Sequence, residues 1–167
     1  ADSAHQEVHN MLLRMREIAV QASNGTLRAA DRTALNEEIG ALEKEIKNIS
    51  DNTTFAGLQI NASTQTVFQI GRSSSNTLTV IFKDFDTSAI GADVGMTTAG
   101  TARSALTKID AAISTISTRR GELGAFSNRL SSTIANLDNI AVNIASARGR
   151  IQDTDFAQET SNLARNQ

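Results

Sequence analysis

Side chains able to do acid–base, nucleophilic or metal chemistry are few in this sequence, and three groupings hold most of them. His5 and His9 stand one helical turn apart and could share a transition metal. The zinc-protease helix needs a glutamate directly after its first histidine, and Gln6 occupies that place, so the pair reads as two solvated histidines near a frayed helix end. Asp153, Asp155 and Glu159 cluster near the C-terminus; without the glycine and the other oxygen ligands of a calcium loop they read as carboxylates on the exposed side of a helix. Arg120, Ser127 and Arg148 interrupt an apolar seam, where polar residues more often fix register and partner choice than do chemistry. With no Cys, no Tyr and no histidine nearby in sequence, they have no nucleophile–base pair to join. No catalytic, cofactor or metal role is assigned to any residue, and the reading is a protein that is not an enzyme.

Composition agrees. A net charge of -2 with both signs mixed gives no field that would draw nucleic acid. No long apolar run suggests a membrane span, and no secretion signal is visible. The absence of cysteine removes disulfides and thiolate chemistry, and the absence of proline leaves helices uninterrupted. Phe is the sole aromatic of the Phe, Trp and Tyr set, so no aromatic-lined pocket or base-stacking platform is expected.

The elements that would carry any binding surface are mostly helical. Alternate steps of three and four from Leu106 land on Ile109, Ile113, Ile116, Leu123, Leu130, Ile134, Leu137, Ala141, Ile144 and Ile151, interrupted by the three polar seats named above. A narrow seam sustained so far describes one long helix that packs on other helices, roughly 95 Å long over about 102–165. A first helix over 2–23 carries Val8, Met11, Leu12, Met15, Ile18, Ala19 and Ala22, and should stop at Asn24-Gly25, where glycine supplies a left-handed residue. Thr26 is placed to cap a second helix, about 27–50, with its seam at Leu35, Ile39, Leu42, Ile46 and Ile49 and with Glu43 and Lys47 paired on its wet face. Three β-rich stretches, Phe55 to Ile60, Thr66 to Ile70 and Thr77 to Phe82, predict a small antiparallel meander. Lys83 to Gly100 reads as a connecting loop.

The fold class expected is therefore mainly α: an elongated, rod-like antiparallel helical bundle, coiled-coil-like, with a small antiparallel β meander. A single domain covers 1–167, with two N-terminal helices in 1–50, meander and loop in 51–100 and the long C-terminal helix in 101–167. Because the first two helices are each only about 35 Å long, most of the long seam lacks a partner, which implies that a further helix covers it. An Asp at Leu130 or Leu137 is accordingly expected to bury an unpaired charge at a helix interface.

The wording of these segments is itself informative. Residues 7–24, with Arg14-Met15-Arg16-Glu17-Ile18-Ala19-Val20-Gln21, closely resemble the N-terminal core of bacterial flagellins, and so do Thr54-Phe55-Ala56-Gly57, Phe68-Gln69-Ile70-Gly71, Leu123-Gly124-Ala125-Phe126-Ser127-Asn128-Arg129-Leu130 and Arg150-Ile151-Gln152-Asp153-Thr154-Asp155. Ala56 stands where the family usually has Asn. The resemblance implies the core of a flagellar filament subunit that lacks the terminal coiled-coil segments, with the family's outer domains reduced to roughly Lys83 to Gly100. It implies export through the flagellar export apparatus, assembly under the cap outside the cell, and homopolymerisation with other flagellin subunits. It also implies recognition by the host Toll-like receptor for flagellin, through a patch that packs between subunits in the filament. Carried onto this chain, that patch is Arg14, Ile18, Glu38, Leu13 and Gln21. Two other readings fit part of the pattern: a flagellin-related surface or hook–filament junction protein that binds polysaccharide, and a signalling coiled coil, which the β-rich stretches argue against.

Overall fold

The computed structural model describes residues 2–55, 58–59 and 65–167, with the side chains of 55, 58 and 153–157 left aside. Helix α1 (Asp2–Ala22) buries Val8, Leu12, Met15, Ile18, Ala19 and Ala22 along one stripe. The three-and-four spacing of these residues puts them on one side of a 3.6-residue turn, so packing against neighbours follows directly from the sequence. Helix α2 (Ala29–Asn52) runs antiparallel to α1: Arg14 of α1 reaches Glu38, while Arg32 near the start of α2 donates from Nε to the Ala22 carbonyl and from Nη2 to the Asn24 carbonyl. Those two bonds satisfy carbonyls that the end of α1 leaves without a helical donor.

The turn between the two helices differs from the glycine-closed stop expected. Gly91 is the glycine with positive φ among the described residues, at 73°, and Gly25 is not. Asn24 makes the turn instead, its Oδ1 accepting from both the backbone N–H and the hydroxyl of Thr26. With its hydroxyl used there, Thr26 does not cap α2; Arg28 is the N-cap residue, and Asp31 Oδ2 accepts its N–H at 3.2 Å.

The β region is antiparallel and small, as expected, but it is two separate hairpins and not one meander. Strands β1 (Thr54–Phe55) and β2 (Leu58–Gln59) pair with each other, so the stretch taken as one strand folds back on itself. Strands β3 (Gln65–Gln69) and β4 (Thr77–Ile81) pair with Thr66 opposite Val80 and Phe68 opposite Leu78. Their connection needs glycine at position 71, since a Cβ there would lie 2.4 Å from the Asn76 side chain. Leu78 and Val80 are buried, and the Phe68 ring lies 5.9 Å from that of Phe126, which seats the hairpin on α3. Ile60 and the Asn61-Ala62-Ser63 turn lie outside the described residues.

The segment after β4 corrects the plainest of the expectations. Lys83 to Gly100 is a packed strap, not a bare connection: Phe85, Ile90, Ala92, Val94 and Met96 are all buried and belong to the same core as α1. From Ile90 the burial alternates, as in an extended chain lying on a surface. Its backbone N–H groups at Val94 and Met96 find no neighbouring strand and donate instead to Glu43 Oε1 at 2.9 Å and Asn36 Oδ1 at 2.7 Å, both on α2. The pairing of Glu43 with Lys47 is thus overturned: Glu43 turns toward the strap, and Lys47 pairs with Asp51 at 3.1 Å. Entry to the strap is a turn in which Asp86 accepts from Ala89 N–H and the Ser88 hydroxyl, closed at Gly91.

Helix α3 (Ala99–Asn166) begins at Thr98, whose hydroxyl accepts the Thr101 N–H while Thr101 answers at the Thr98 N–H. Its 68 residues make a rod of about 100 Å. Asp2 pairs with Arg120 and Arg16 with Asp110, so α1 and α3 are antiparallel. Ala102, Ala105, Ile109, Ala112 and Ile116 are buried, and no described residue of α3 after Ile116 is. Beyond it Ile134, Leu137, Ile140, Ile144 and Ile151 are exposed by 41% to 67%. The expected seam is real, and among the described residues it is uncovered over its distal half.

This fixes where an introduced charge should matter. Ile116→Asp is expected to destabilise by several kcal/mol, about the scale of a whole domain's stability, because it strands a charge in the core. Leu137→Asp, the position that the sequence placed in an interface, is expected to stay within about 0.5 kcal/mol in this chain because nothing covers it. Chemical denaturation of both variants is the check, and equal losses would mean that the distal seam is packed.

Glu43 generates a pH dependence. Burial beside the strap raises its carboxyl above the ordinary range, Asp93 adds to that, and the hydrogen bond from Val94 opposes it. A raised folded value means that this group's contribution is fully present below the unfolded value and is lost as pH rises through the folded one. Glu43→Gln keeps an acceptor for Val94 and removes the charge. Its melting midpoint relative to the parent chain is expected to rise from about pH 4 to about pH 7; a fall over the same range would show that the carboxylate stabilises the strap.

Candidate partner-binding surface

The face of α1 opposite the core is the first candidate surface. Arg14 is its centre: Nε and Nη2 both donate to Glu38 Oε1, at 3.0 and 2.8 Å, and Nη1 donates to Glu17 Oε2 at 3.1 Å. The hydrogen bond to Glu38, with that to Glu17, raises the guanidinium further above its ordinary value. These side chains are 41% to 68% exposed, so the network adds little stability, but it holds a planar donor group in one orientation across the α1–α2 boundary. Leu13 (42% exposed) and Val20 (49%) place apolar surface seven residues apart on the same side of α1, and Gln21 is exposed beside them.

Of the five residues carried onto this surface, Arg14, Glu38, Leu13 and Gln21 reach solvent. Ile18 does not. It is 1% exposed and part of the core, because a step of three from Met15 and of four to Ala22 places it in the seam that packs on the other helices. The sequence reading passed over Glu17 and Val20, and the signal for both was present: Glu17 is three residues after Arg14, and Val20 is two turns after Leu13.

The distal seam of α3 is the second candidate, a row of exposed branched side chains from Ile134 to Ile151. It offers contact area and shape without any reactive group. Ser127 and Arg148 lie exposed on this helix, whereas Arg120 pairs with Asp2 and so ties the start of α1 to α3.

The groups weighed for chemistry sit elsewhere. The solvated-histidine reading is overturned for His5, which is 4% exposed with its ring 4.7 Å from that of Phe85, because the strap closes over the first turns of α1. His9 is half-buried, and its Nδ1 has no hydrogen-bond partner among the described residues. Among the described residues no group of three His, Cys, Asp or Glu side chains could hold a metal ion, and no helix is long and apolar enough to cross a membrane. The side chains of Asp153 and Asp155 lie outside those described.

Comparison with known proteins gives these surfaces a context. The bacterial flagellin N-terminal helical region matches residues 1–66, and the bacterial flagellin C-terminal helical region matches residues 106–167. A flagellin of Halalkalibacterium halodurans is 39% identical over 99% of this chain, and a flagellin of Bacillus subtilis is 34% identical, again over 99% of it. The chain spans 62% of the length of the first and 67% of the second. The crystal structure of Bacillus cereus flagellin superposes with a TM-score of 0.74 at 33% identity, covering 81% of this chain and 80% of that one. Both ends match the family's helical regions, and 81% of the chain superposes on a solved member at 33% identity, so this chain belongs to the bacterial flagellin family.

Proposed function

We propose that this chain is the core of a structural subunit of the bacterial flagellar filament, which polymerises outside the cell for motility. The observation that carries the reading is the uncovered seam of α3, in a chain whose family assembles flagella. A row of exposed Ile and Leu is costly in water and would contribute roughly 1.5–3 kcal/mol per side chain once buried. A subunit that gains stability on packing is what a polymer needs. On this reading helices from the longer protein and from neighbouring copies cover the seam. The flagellar export apparatus and the filament cap deliver and seat the subunit, and residues 1–167 fold as one domain, since 1–50, the strap and the start of α3 share one core.

The face of α1 serves two partners in this proposal. It packs between subunits in the filament, and in the monomer it is open to the host Toll-like receptor for flagellin through Leu13, Arg14, Gln21 and Glu38. Ile18 is left out because it is buried.

Three measurements test this. Sedimentation of this chain at high concentration is expected to give a monomer, while electron microscopy of a full-length protein is expected to give hollow filaments; filaments formed by this chain alone would place the covering helices within it. Arg14→Ala is expected to weaken receptor-ectodomain binding by about 2 kcal/mol or more, because it removes an oriented donor group from an interface centre. Equal affinity for parent and variant in a binding titration would remove Arg14 from the site.

A further inference from the structure

A cleft of about 430 Å³ lies between β4 and α3, with His5 of α1 also in its lining, apart from the outer face of α1 around Arg14 and from the seam beyond Ile134. Val80, Leu123 and Phe126 line it with apolar surface, and the contact of Phe126 with Phe68 braces that wall. Cations stand at both ends. At one end Lys83 pairs with Glu122 at 3.3 Å, and Arg119 donates from Nη1 to the Asp84 carbonyl, with the carboxylates of Asp84 and Glu122 as its nearest compensating charges. At the other end is Arg129, ten residues or about 15 Å further along the helix. Its guanidinium makes no hydrogen bond or ion pair among the described residues.

The charges therefore balance at one end and not at the other. We propose that this cleft is a binding site for a small amphiphilic carboxylate, whose apolar body lies along Val80, Leu123 and Phe126 and whose anionic head meets Arg129. A guanidinium offers a carboxylate two parallel donors, a match that no neutral head group reproduces. The cleft's size suits a ligand of one or two rings. Nothing in this inference depends on filament assembly.

An amide NMR titration of this chain with naphthoate, and separately with the neutral naphthamide, is the test. Saturable shifts are expected at residues 79–83 and 119–129, with naphthoate bound at least about tenfold more tightly than naphthamide. Arg129→Gln is expected to abolish that preference. Arg148→Gln, which removes another exposed arginine of the same helix, is expected to leave it intact. Equal affinity for the two probes, an unchanged preference in Arg129→Gln, or shifts centred on Ile134 to Ile151 would each overturn the assignment.

Discussion

The apolar face of α1 is the contact on which the rest of the molecule depends. Val8, Leu12, Met15, Ile18, Ala19 and Ala22 are essentially sealed from water, and three different elements do the sealing: α2 through Ile39 and Ile46, α3 through Ala105, Ile109, Ala112 and Ile116, and the strap through Phe85 and Met96. Small residues on α3 let the two backbones approach, while the bulk comes from α1 and the strap. Because α1 is only about 30 Å long, it can cover no more than the first third of a rod of about 100 Å. The buried-to-exposed boundary on α3 near Ile116 is thus set by the length of α1. The apolar seam of α3 continues past that point through Leu123, Leu130 and Ile134, interrupted at Arg120 and Ser127.

Polar contacts around that core position elements more than they stabilise them. Asp2–Arg120 and Arg16–Asp110 fix the antiparallel register of α1 on α3, and Arg14–Glu38 does the same for α1 on α2. These side chains are 33% to 64% exposed, and such solvent-accessible pairs contribute at most about 1 kcal/mol each. The bonds that Glu43 and Asn36 accept from the strap differ, because they satisfy part-buried backbone N–H groups of Val94 and Met96. Those two side chains do for the strap what a neighbouring strand would do in a sheet.

What could be read from the residues follows this division. Helix existence, the seam and its lack of cover were legible because a 3.6-residue period leaves a trace over many turns in α1 and α3. The strap was not, although Ile90, Ala92, Val94 and Met96 alternate with Gly91, Asp93, Gly95 and Thr97. Four small or mid-sized side chains among glycines look like a loop until something shows that they lie on a helix pair. The same missing element bears on the reading of His5, since Phe85 of the strap packs against its ring. Ile18 was misassigned for a local reason: it shares an approximate face with Arg14, but one more helical step shows it to be a seam residue. The outer surface was legible where charge marks it, at Arg14 and Glu38, and not where exposed apolar residues such as Val20 resemble core.

In α3 a single continuous helix is stabilised by tertiary packing at one end and left without it at the other. Backbone hydrogen exchange along α3 in the free chain tests this most directly, because opening near the core needs global unfolding whereas an unpacked helix opens locally. The expected result is strong protection from Ala102 to about Arg120, falling to weak protection through Ile134 to Leu163. Uniform protection along the whole of α3 would contradict the account.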